Sequence, residues 1–340
     1  MERTDDTATE RFVLCVGAAA LDLVMDVDSI PTEDTRVSAR AASLAGGGPA
    51  ATAAVALGRL GTRVSFAGWI GEDAAGILIR EGLVAENVDV AHLRSEPGAA
   101  SAMALGLVRS TNGTRTLVAY AGSTARAGVT PELEALARAA DWIHADHAGY
   151  PVVRELRRRG VETPVSLDGG NPIPDLDLTL IDLYAPAAAE LLRWSQAPTV
   201  EAGLAKAVSA GASVAIATHG ETGSTAVSVI EPDGVDVTTA VRAARIRTSS
   251  PRTWSIEQSA FPMDATSGST LGAGDVFHGA LLAAILQGRS LRDAMAFASA
   301  AASLSCRALD GRSAIPTIAE VDDLVGRHAP AAGSGSVAWT

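Results

Sequence analysis

Short apolar segments recur along this chain, separated by helical patterns, and that alternation restricts the fold more than any other feature of the sequence. The segments at 13–18, 63–68, 141–146, 164–168, 180–184 and 213–218 are rich in Val, Ile, Leu and Ala and read as buried strands. Between them lie helical patterns near 49–60, 73–86, 131–139, 150–159, 187–194 and 199–210. Parallel strands need a crossover to join them, and a helix supplies it. The expected fold class is therefore α/β, a doubly wound, mainly parallel sheet with helices on both faces. Ligands of such sheets sit at the carboxyl ends of the strands.

Two stretches break the rhythm by alternating apolar and polar residues like half-exposed strands. One is about Leu23 to Arg40 and the other Ser101 to Tyr120, with an Asn112-Gly113 hairpin signal inside Thr111–Thr114. They predict a small additional β-sheet. Residues 1–11 and 329–340, the latter rich in Gly, Ser and Ala, are expected to be flexible tails.

Composition excludes several classes. At 340 residues, 47% hydrophobic and 4% aromatic, the chain buries a large core of Ala, Val, Leu and Ile. No apolar run approaches the roughly 18 residues of a membrane span. The start of the chain lacks the basic and apolar regions of a secretory signal, so a cytoplasmic location with no membrane partner is expected. A formal net charge of −12 argues against a nucleic-acid surface. Lys206 is the sole lysine, and the arginines from Arg154 to Arg159 read as a solvated helix face. Cys15 and Cys306 offer neither a disulfide framework nor a metal-ligand spacing and read as buried small hydrophobes.

Two glycine clusters open helices. In Leu271-Gly272-Ala273-Gly274-Asp275-Val276-Phe277-His278-Gly279-Ala280 a glycine-rich turn runs into an apolar helix and delivers one carboxylate at its mouth. Gly272 and Gly274 let the backbone approach an anion, and the unpaired N–H groups and dipole of the first turn favour negative charge there. A carboxylate beside a transferring phosphoryl group takes the proton from the attacking alcohol. Asp275 is thus the candidate general base, with the N–H groups of Gly272, Ala273 and Gly274 as the candidate anion hole. Taken alone, the segment also reads as an ordinary turn whose Asp is a cap or dipole partner. The second cluster, Gly46-Gly47-Gly48-Pro49, opens an Ala-rich helix that passes through Thr52 and closes at Gly61.

Together these elements resemble the two motifs of the PfkB, or ribokinase, family of carbohydrate kinases. The resemblance runs from about Phe12 to about His328, which makes 12–328 one kinase domain. Val13 to Asp22 is similar to the family's first strand and its sugar-binding carboxylate. Gly68 to Gly76 is similar to its G-x-x-G-x-D-x-x-G turn, and Ala217 to Gly223 to its nucleotide-side strand and loop. The resemblance implies a ribokinase-like fold in which about 23–40 and 99–121 form a lid over the sugar site. Such a lid excludes water on closing and often pairs two subunits, which implies a homodimer. The implied reaction moves the γ-phosphoryl group of ATP to a hydroxyl of a sugar or sugar-like alcohol. Asp22, Gly47, Gly48, Thr52, His147 and Asp168 fall on the sugar side. Thr218, Gly220, Glu221 and Gly223 fall on the nucleotide side, and Glu190 near magnesium. The helix from Leu291 to Cys306 and the loop Ala308 to Ser313 resemble the segment that borders adenine and holds a monovalent cation through carbonyls, so potassium is carried as a candidate.

Departures from the pattern bear on the substrate. Thr52 stands where the family usually has Asn, and Ala187-Ala188-Ala189-Glu190 stands for its Asn-x-x-Glu. Ser269-Thr270 replaces Asp-Thr, and 243–259 and 265–268 look like insertions. The motifs resemble those of the sulfofructose kinase subgroup. Arg is the natural partner of a sulfonate, yet Ala148 and Ala119 stand where that subgroup has Arg and Asn, and His147 is either the mark of a different sugar specificity or an ordinary strand-end histidine. The alternative function is a catalytically weakened, sugar-binding sensor of the same family. A dinucleotide-dependent oxidoreductase is disfavoured because Gly17 to Asp22 lacks G-x-G-x-x-G.

Overall fold

The computed structural model of the chain describes residues 11–109, 114–125, 128–234, 236–245, 252–263 and 268–328. Apart from Arg11, the tails expected at 1–11 and 329–340 lie outside the described residues, as does the turn expected at 111–114 apart from Thr114.

The chain opens with β1 (Phe12–Val16), then β2 (Ala20–Val27), β3 (Ala39–Gly47), α1 (Pro49–Arg59), β4 (Arg63–Gly71), α2 (Ala74–Ala85) and β5 (Asp89–Glu96). It continues through β6 (Ala102–Arg109), β7 (Thr114–Tyr120), α3 (Pro131–Ala139), β8 (Trp142–Ala145), α4 (Tyr150–Arg158) and β9 (Val165–Asp168). Next come β10 (Leu183–Ala185), α5 (Ala188–Ser195), α6 (Val200–Ser209), β11 (Val214–Thr218) and β12 (Ser224–Ser228). The chain ends with α7 (Val237–Ala244), β13 (Trp254–Gln258), α8 (Ala273–Leu286), α9 (Leu291–Ser305) and α10 (Ile318–His328).

Nine strands form one sheet in the order β13-β12-β11-β10-β9-β8-β1-β4-β5. It is parallel from β11 to β5, and β12 and β13 add an antiparallel edge. From β1 the chain builds outward to β4 and β5, then returns to place β8 on the other side. Strand order therefore reverses between β1 and β8, and a crevice forms beyond their carboxyl ends. Helices cover both faces. Val13, Cys15, Phe66 and Ile216 pack toward α1, α8 and α9, whereas Leu14, Val16, Ile143 and Leu167 pack toward α3, α4 and α6.

Small residues let the two motif helices cross closely. Every residue of α1 from Ala50 to Leu57 is buried, and a Cβ on Gly279 of α8 would lie 2.4 Å from the Ala53 carbonyl oxygen. That contact fixes where each helix begins, and both begin at the crevice.

The second sheet has four strands in the order β3-β2-β6-β7. Register puts Asp22, Ser43 and Arg115 on one face, and Leu44, Met103, Val118 and Tyr120 on the other, where all four are exposed. Ser43 Oγ donates to Asp310 Oδ2 at 2.7 Å, and Arg115 Nη1 donates to Thr270 Oγ1, so the polar face is latched onto the crevice.

The structure refines two expectations and corrects a third. The stretch at 23–40 spans the end of one strand and the start of the next. β2 ends at Val27, and β3 runs from Ala39 to Gly47, into the first glycine cluster. Within the segment at 243–259, Trp254–Gln258 pairs with β12 as the edge strand. Arg157 does not join a solvated face. Its Nε and Nη1 donate to the carbonyls of Leu180, Val161 and Thr163, and its Nη2 meets buried Asp182 at 3.2 Å. Both cysteines are free and buried.

Candidate active site

The loop after β8 ties the crevice together. Asp146 is buried, and its Oδ2 accepts from the N–H groups of Ala18 (2.8 Å) and Ala50 (3.1 Å). Its Oδ1 accepts from those of Ala148 (2.8 Å) and Gly149 (3.0 Å). One carboxylate thus joins the end of β1 to the first turns of α1 and α4. Because Gly48 offers no side-chain cap to α1, Asp146 caps that helix from across the crevice.

At α8 the glycine signal is explained by contacts. Gly272 has φ 73°, a left-handed conformation, and a Cβ there would lie 2.8 Å from Gly311 Cα. A Cβ on Gly274 would meet open space. No side chain caps α8, so the N–H groups of its first turn have no helical acceptor, although that of Ala273 makes a long contact of 3.4 Å with the Thr270 carbonyl. Asp275, in the same turn, is partly exposed. Burial of its surroundings, reinforced by the charges of Asp168 and Asp146, pushes its carboxyl well above the usual carboxylate range, against the opposing pull of His278 and Arg312.

Of the sugar-side candidates, Asp22 lies on the polar face of the small sheet. The Asp22 carboxylate lies against Gly47, where a Cβ would come within 2.1 Å of Oδ2. Burial, with Asp310 adding to it and Arg312 opposing, raises the Asp22 carboxyl to about 6. Thr52 is brought to this place but is buried, and its Oγ1 accepts from Arg312 Nε at 3.1 Å. His147 stands half-buried at the end of β8, with Nδ1 enclosed and unpartnered. Asp168, at the end of β9, turns inward. Its Oδ1 accepts from the Gly170 N–H at 2.6 Å and lies 3.4 Å from His278 Nε2.

The nucleotide-side candidates reach the same rim. Thr218 ends β11, and Gly220, Glu221 and Gly223 form the turn into β12. In the sheet order β11 is three strands from β8, roughly 14 Å at ordinary strand spacing. Glu190 sits in the first turn of α5, ion-paired with Arg193, and lines a cavity of about 290 Å³ with Gly169, Tyr184 and Trp194. Asp275 does not line that cavity.

Arg312 was not legible as a site residue. Its guanidinium is 6% exposed, donates to the Gly47 carbonyl at 2.7 Å as well as to Thr52, and is lowered to about 10 by burial while Asp22, Asp275 and Asp310 oppose the shift. It therefore stays charged at neutral pH. Burial would raise the Asp310 carboxyl, but hydrogen bonds from Ser43, Arg312 N–H and Ser313 hold it below its usual value. His278 had a signal that the motif reading passed over, since it is the one titratable side chain besides Asp275 on an otherwise apolar helix.

One contrast sorts the carboxylates. Asp146 and Asp310 are saturated with donors, and Asp168 holds a backbone N–H and an imidazole. Asp22 and Asp275, the two with raised proton affinity, accept no hydrogen bond from another side chain among the described residues. An open helix N-terminus beside one donor-poor carboxylate, with another across the crevice, suits an anionic donor and a hydroxylic acceptor.

Comparison with known proteins agrees. The pfkB family carbohydrate kinase model matches residues 10–318. A ribokinase of Arabidopsis thaliana is 28% identical over 324 residues, covering 90% of this chain and 78% of that protein. A ketohexokinase of Mus musculus is 22% identical over 303 residues, covering 87% of this chain and 96% of its own length. The structure of the Arabidopsis ribokinase complexed with ribose and ATP is similar to this one with a TM-score of 0.71 at 25% identity, covering 93% of this chain and 98% of that one.

Proposed function

This chain belongs to the pfkB family of carbohydrate kinases, and from that premise we propose that Asp275 is the general base of an ATP-dependent phosphoryl transfer to a sugar hydroxyl. The observation that carries the proposal is the uncapped N-terminus of α8, open at Gly274, with donor-poor Asp275 in its first turn.

In this reading the acceptor hydroxyl donates its hydrogen bond to Asp275, and other hydroxyls of the sugar donate to Asp22. The acceptor oxygen bonds to the γ-phosphorus as the bond to ADP breaks, and its proton passes to Asp275. The N–H groups of Gly272, Ala273 and Gly274 bind the developing charge. A positioned base supplies about 10²- to 10⁴-fold and a preorganised donor about 10²- to 10³-fold. Thr218, Gly220, Glu221 and Gly223 border the nucleotide, and His147 the sugar. Thr52 contributes by orienting Arg312.

No group of three or more His, Cys, Asp or Glu residues that could hold a metal lies among the described residues. Glu190 is the carboxylate we place near magnesium carried on the ATP phosphates, acting indirectly. Magnesium would shield the phosphate charge. The Cys306 and Ala308 carbonyls, in the loop similar to a cation-holding segment, both accept the Ser269 N–H at 3.1 and 2.9 Å. Potassium activation is therefore tested by replacing potassium with sodium in the assay. The exposed outer face of the lid sheet, with Leu44, Met103, Val118 and Tyr120, is the surface we assign to homodimer pairing. No helix among the described residues is long and apolar enough to cross a membrane.

The test is an ATP-to-ADP coupled assay over hexoses, pentoses, ketoses, deoxy-gluconates, sulfosugars and nucleosides, beside folded Asp275→Asn. Turnover on one acceptor, lost at least about 10²-fold in the variant, is the expected result. Unaltered turnover in Asp275→Asn would remove the base assignment. ATP and sugar binding without turnover on any acceptor would favour the sensor function.

A further inference from the structure

The interface between α8 and the sheet is apolar along most of its length. Val276, Phe277, Ala280, Leu281 and Ala284 pack against strand residues such as Cys15 and Leu183. One polar seam interrupts it. His144, Ser166 and Asp168 share the face of β8 and β9 that looks toward α8, since His144 pairs in register with Cys15 and with Ser166. His278 closes the seam from the helix side. All four side chains are buried.

Distances link the seam into a chain that ends at the base. His144 Nδ1 lies 3.3 Å from Ser166 Oγ, and the His144 and His278 rings are 5.5 Å apart between centroids. His278 Nε2 lies 3.4 Å from Asp168 Oδ1. His278 and Asp275 are three residues apart on α8, so their side chains share a face one turn from each other. His144 Nε2 and His278 Nδ1 have no hydrogen-bond partner among the described residues. Stability alone would favour apolar side chains in such a place.

We propose that Asp168 and His278 form a positioning pair beneath Asp275, in which the imidazolium held by Asp168 shields the base from that carboxylate's charge. The proposal rests on the assignment of Asp275 as base. Asp168 alone would drive a proton onto Asp275 by like-charge repulsion, and the imidazolium between them offsets that charge. Neither residue touches substrate.

The charged groups around His278 agree with this reading. Burial would lower the imidazole, but Asp168 and then Asp275 raise it above its ordinary value. His144, lowered to about 3 by burial and then by His278, stays neutral, so the seam carries one positive charge. Of the other helices packed on α8, α1 carries Arg59, which pairs with Glu86. α9 carries Arg292, paired with Asp233, and Asp293, bonded to Ser290. Arg242 of α7 is exposed. Around Asp275 itself, Asp146 and Arg312 add charges of opposite sign.

The experiment follows the Asp275 carboxyl directly by carbon-13 NMR titration of full-length protein, its signal assigned with Asp275→Asn, and does not depend on turnover. In His278→Asn the midpoint of Asp275 is expected to rise by about one unit or more, because Asp168 is left unopposed. In Asp168→Asn it is expected to fall or hold, since the repelling charge and the anchor of the imidazolium go together. The acidic limb of the kcat/KM profile should move in the same directions. An unmoved midpoint in both variants, or a shift of the same sign in both, would overturn the pairing. His278→Gln replaces His278→Asn if the latter does not fold. If Asp275→Asn retains full turnover while the NMR shifts appear, the base assignment fails and the electrostatic pairing stands.

Discussion

Gly279→Ala tests whether the crossing of the two motif helices sets the geometry of the site. A Cβ at this position would lie 2.4 Å from the Ala53 carbonyl oxygen and 2.8 Å from Ala56 Cβ. Both contacts are to groups anchored in α1, so no flexible side chain can swing away. Ordinary contact begins at 3.4 Å, which requires the helices to part locally by about 1 Å. Helix propensity works the other way, favouring Ala over Gly by about 1 kcal/mol, and burial of one methyl adds about 0.8 kcal/mol. Overpacking costs about 1–3 kcal/mol and more when backbone must move. With the cost at the upper end of that range, as the anchored backbone contact requires, the balance is a net loss of about 1 kcal/mol, and the larger effect falls on function. α8 carries Asp275 one turn before Gly279, and displacing a catalytic group by about 1 Å costs up to about 10²-fold in rate. Urea unfolding and the coupled assay, run on the same preparation, read both quantities. Retained kcat with a stability equal to or above wild type would refute the reasoning, because the crossing would then have room to spare.

Three further outcomes are expected. Ala187→Asn restores a side-chain cap to α5, which has none, and should stabilise the protein by about 1 kcal/mol, seen in urea unfolding. Asp22 is raised from 3.8 to about 6 in the fold. Its protonated form favours folding fully below pH 3.8, and that contribution is lost as pH rises through 6. Asp22→Asn should therefore melt higher than wild type at pH 8 and match it at pH 3, while sugar KM rises. Arg312→Met strands the Gly47 carbonyl and Thr52 hydroxyl without their donor, costing about 1–3 kcal/mol. It also removes a charge that lowers both Asp22 and Asp275, so the acidic limb of kcat/KM should move to higher pH.

The parts of the fold that follow from local pattern were legible. β1, α1, α2 and α3 fall where apolar runs and periodic patterns put them, and the Asp275 turn announces itself through Gly272 and Gly274. What escaped depends on pairing at long range. β12 and β13 lie on an edge, where half-exposed strands lack a continuous apolar run. Arg157 follows helical spacing yet turns inward, because Asp182, far along the chain, lies buried beside it. Arg312 has no local sign of burial. Only the close approach of Gly311 to Gly272 and of the guanidinium to Gly46 places it in the site. The lid likewise reads as alternating strands, while its latches through Ser43 and Arg115 join residues more than a hundred positions apart.

The charges at the crevice show why these unseen contacts matter. Asp22, Asp146, Asp168, Asp275 and Asp310 converge on a place meant for a polyphosphate, an arrangement that repels its ligand unless most of that charge is satisfied within the protein. Asp146 spends its oxygens on four backbone N–H groups, Asp310 on Ser43, Arg312 and Ser313, and Asp168 on Gly170 and His278. Among the described residues, the other two carboxyls, Asp22 and Asp275, have no protein donor, and both are raised above the usual carboxylate range. Sugar hydroxyls suit both, because each donates one hydrogen bond to a carboxylate and brings no charge of its own. Under the proposed assignment, one hydroxyl supplies a missing donor to Asp22 and the acceptor hydroxyl supplies one to Asp275, which lowers the cost of ionising it.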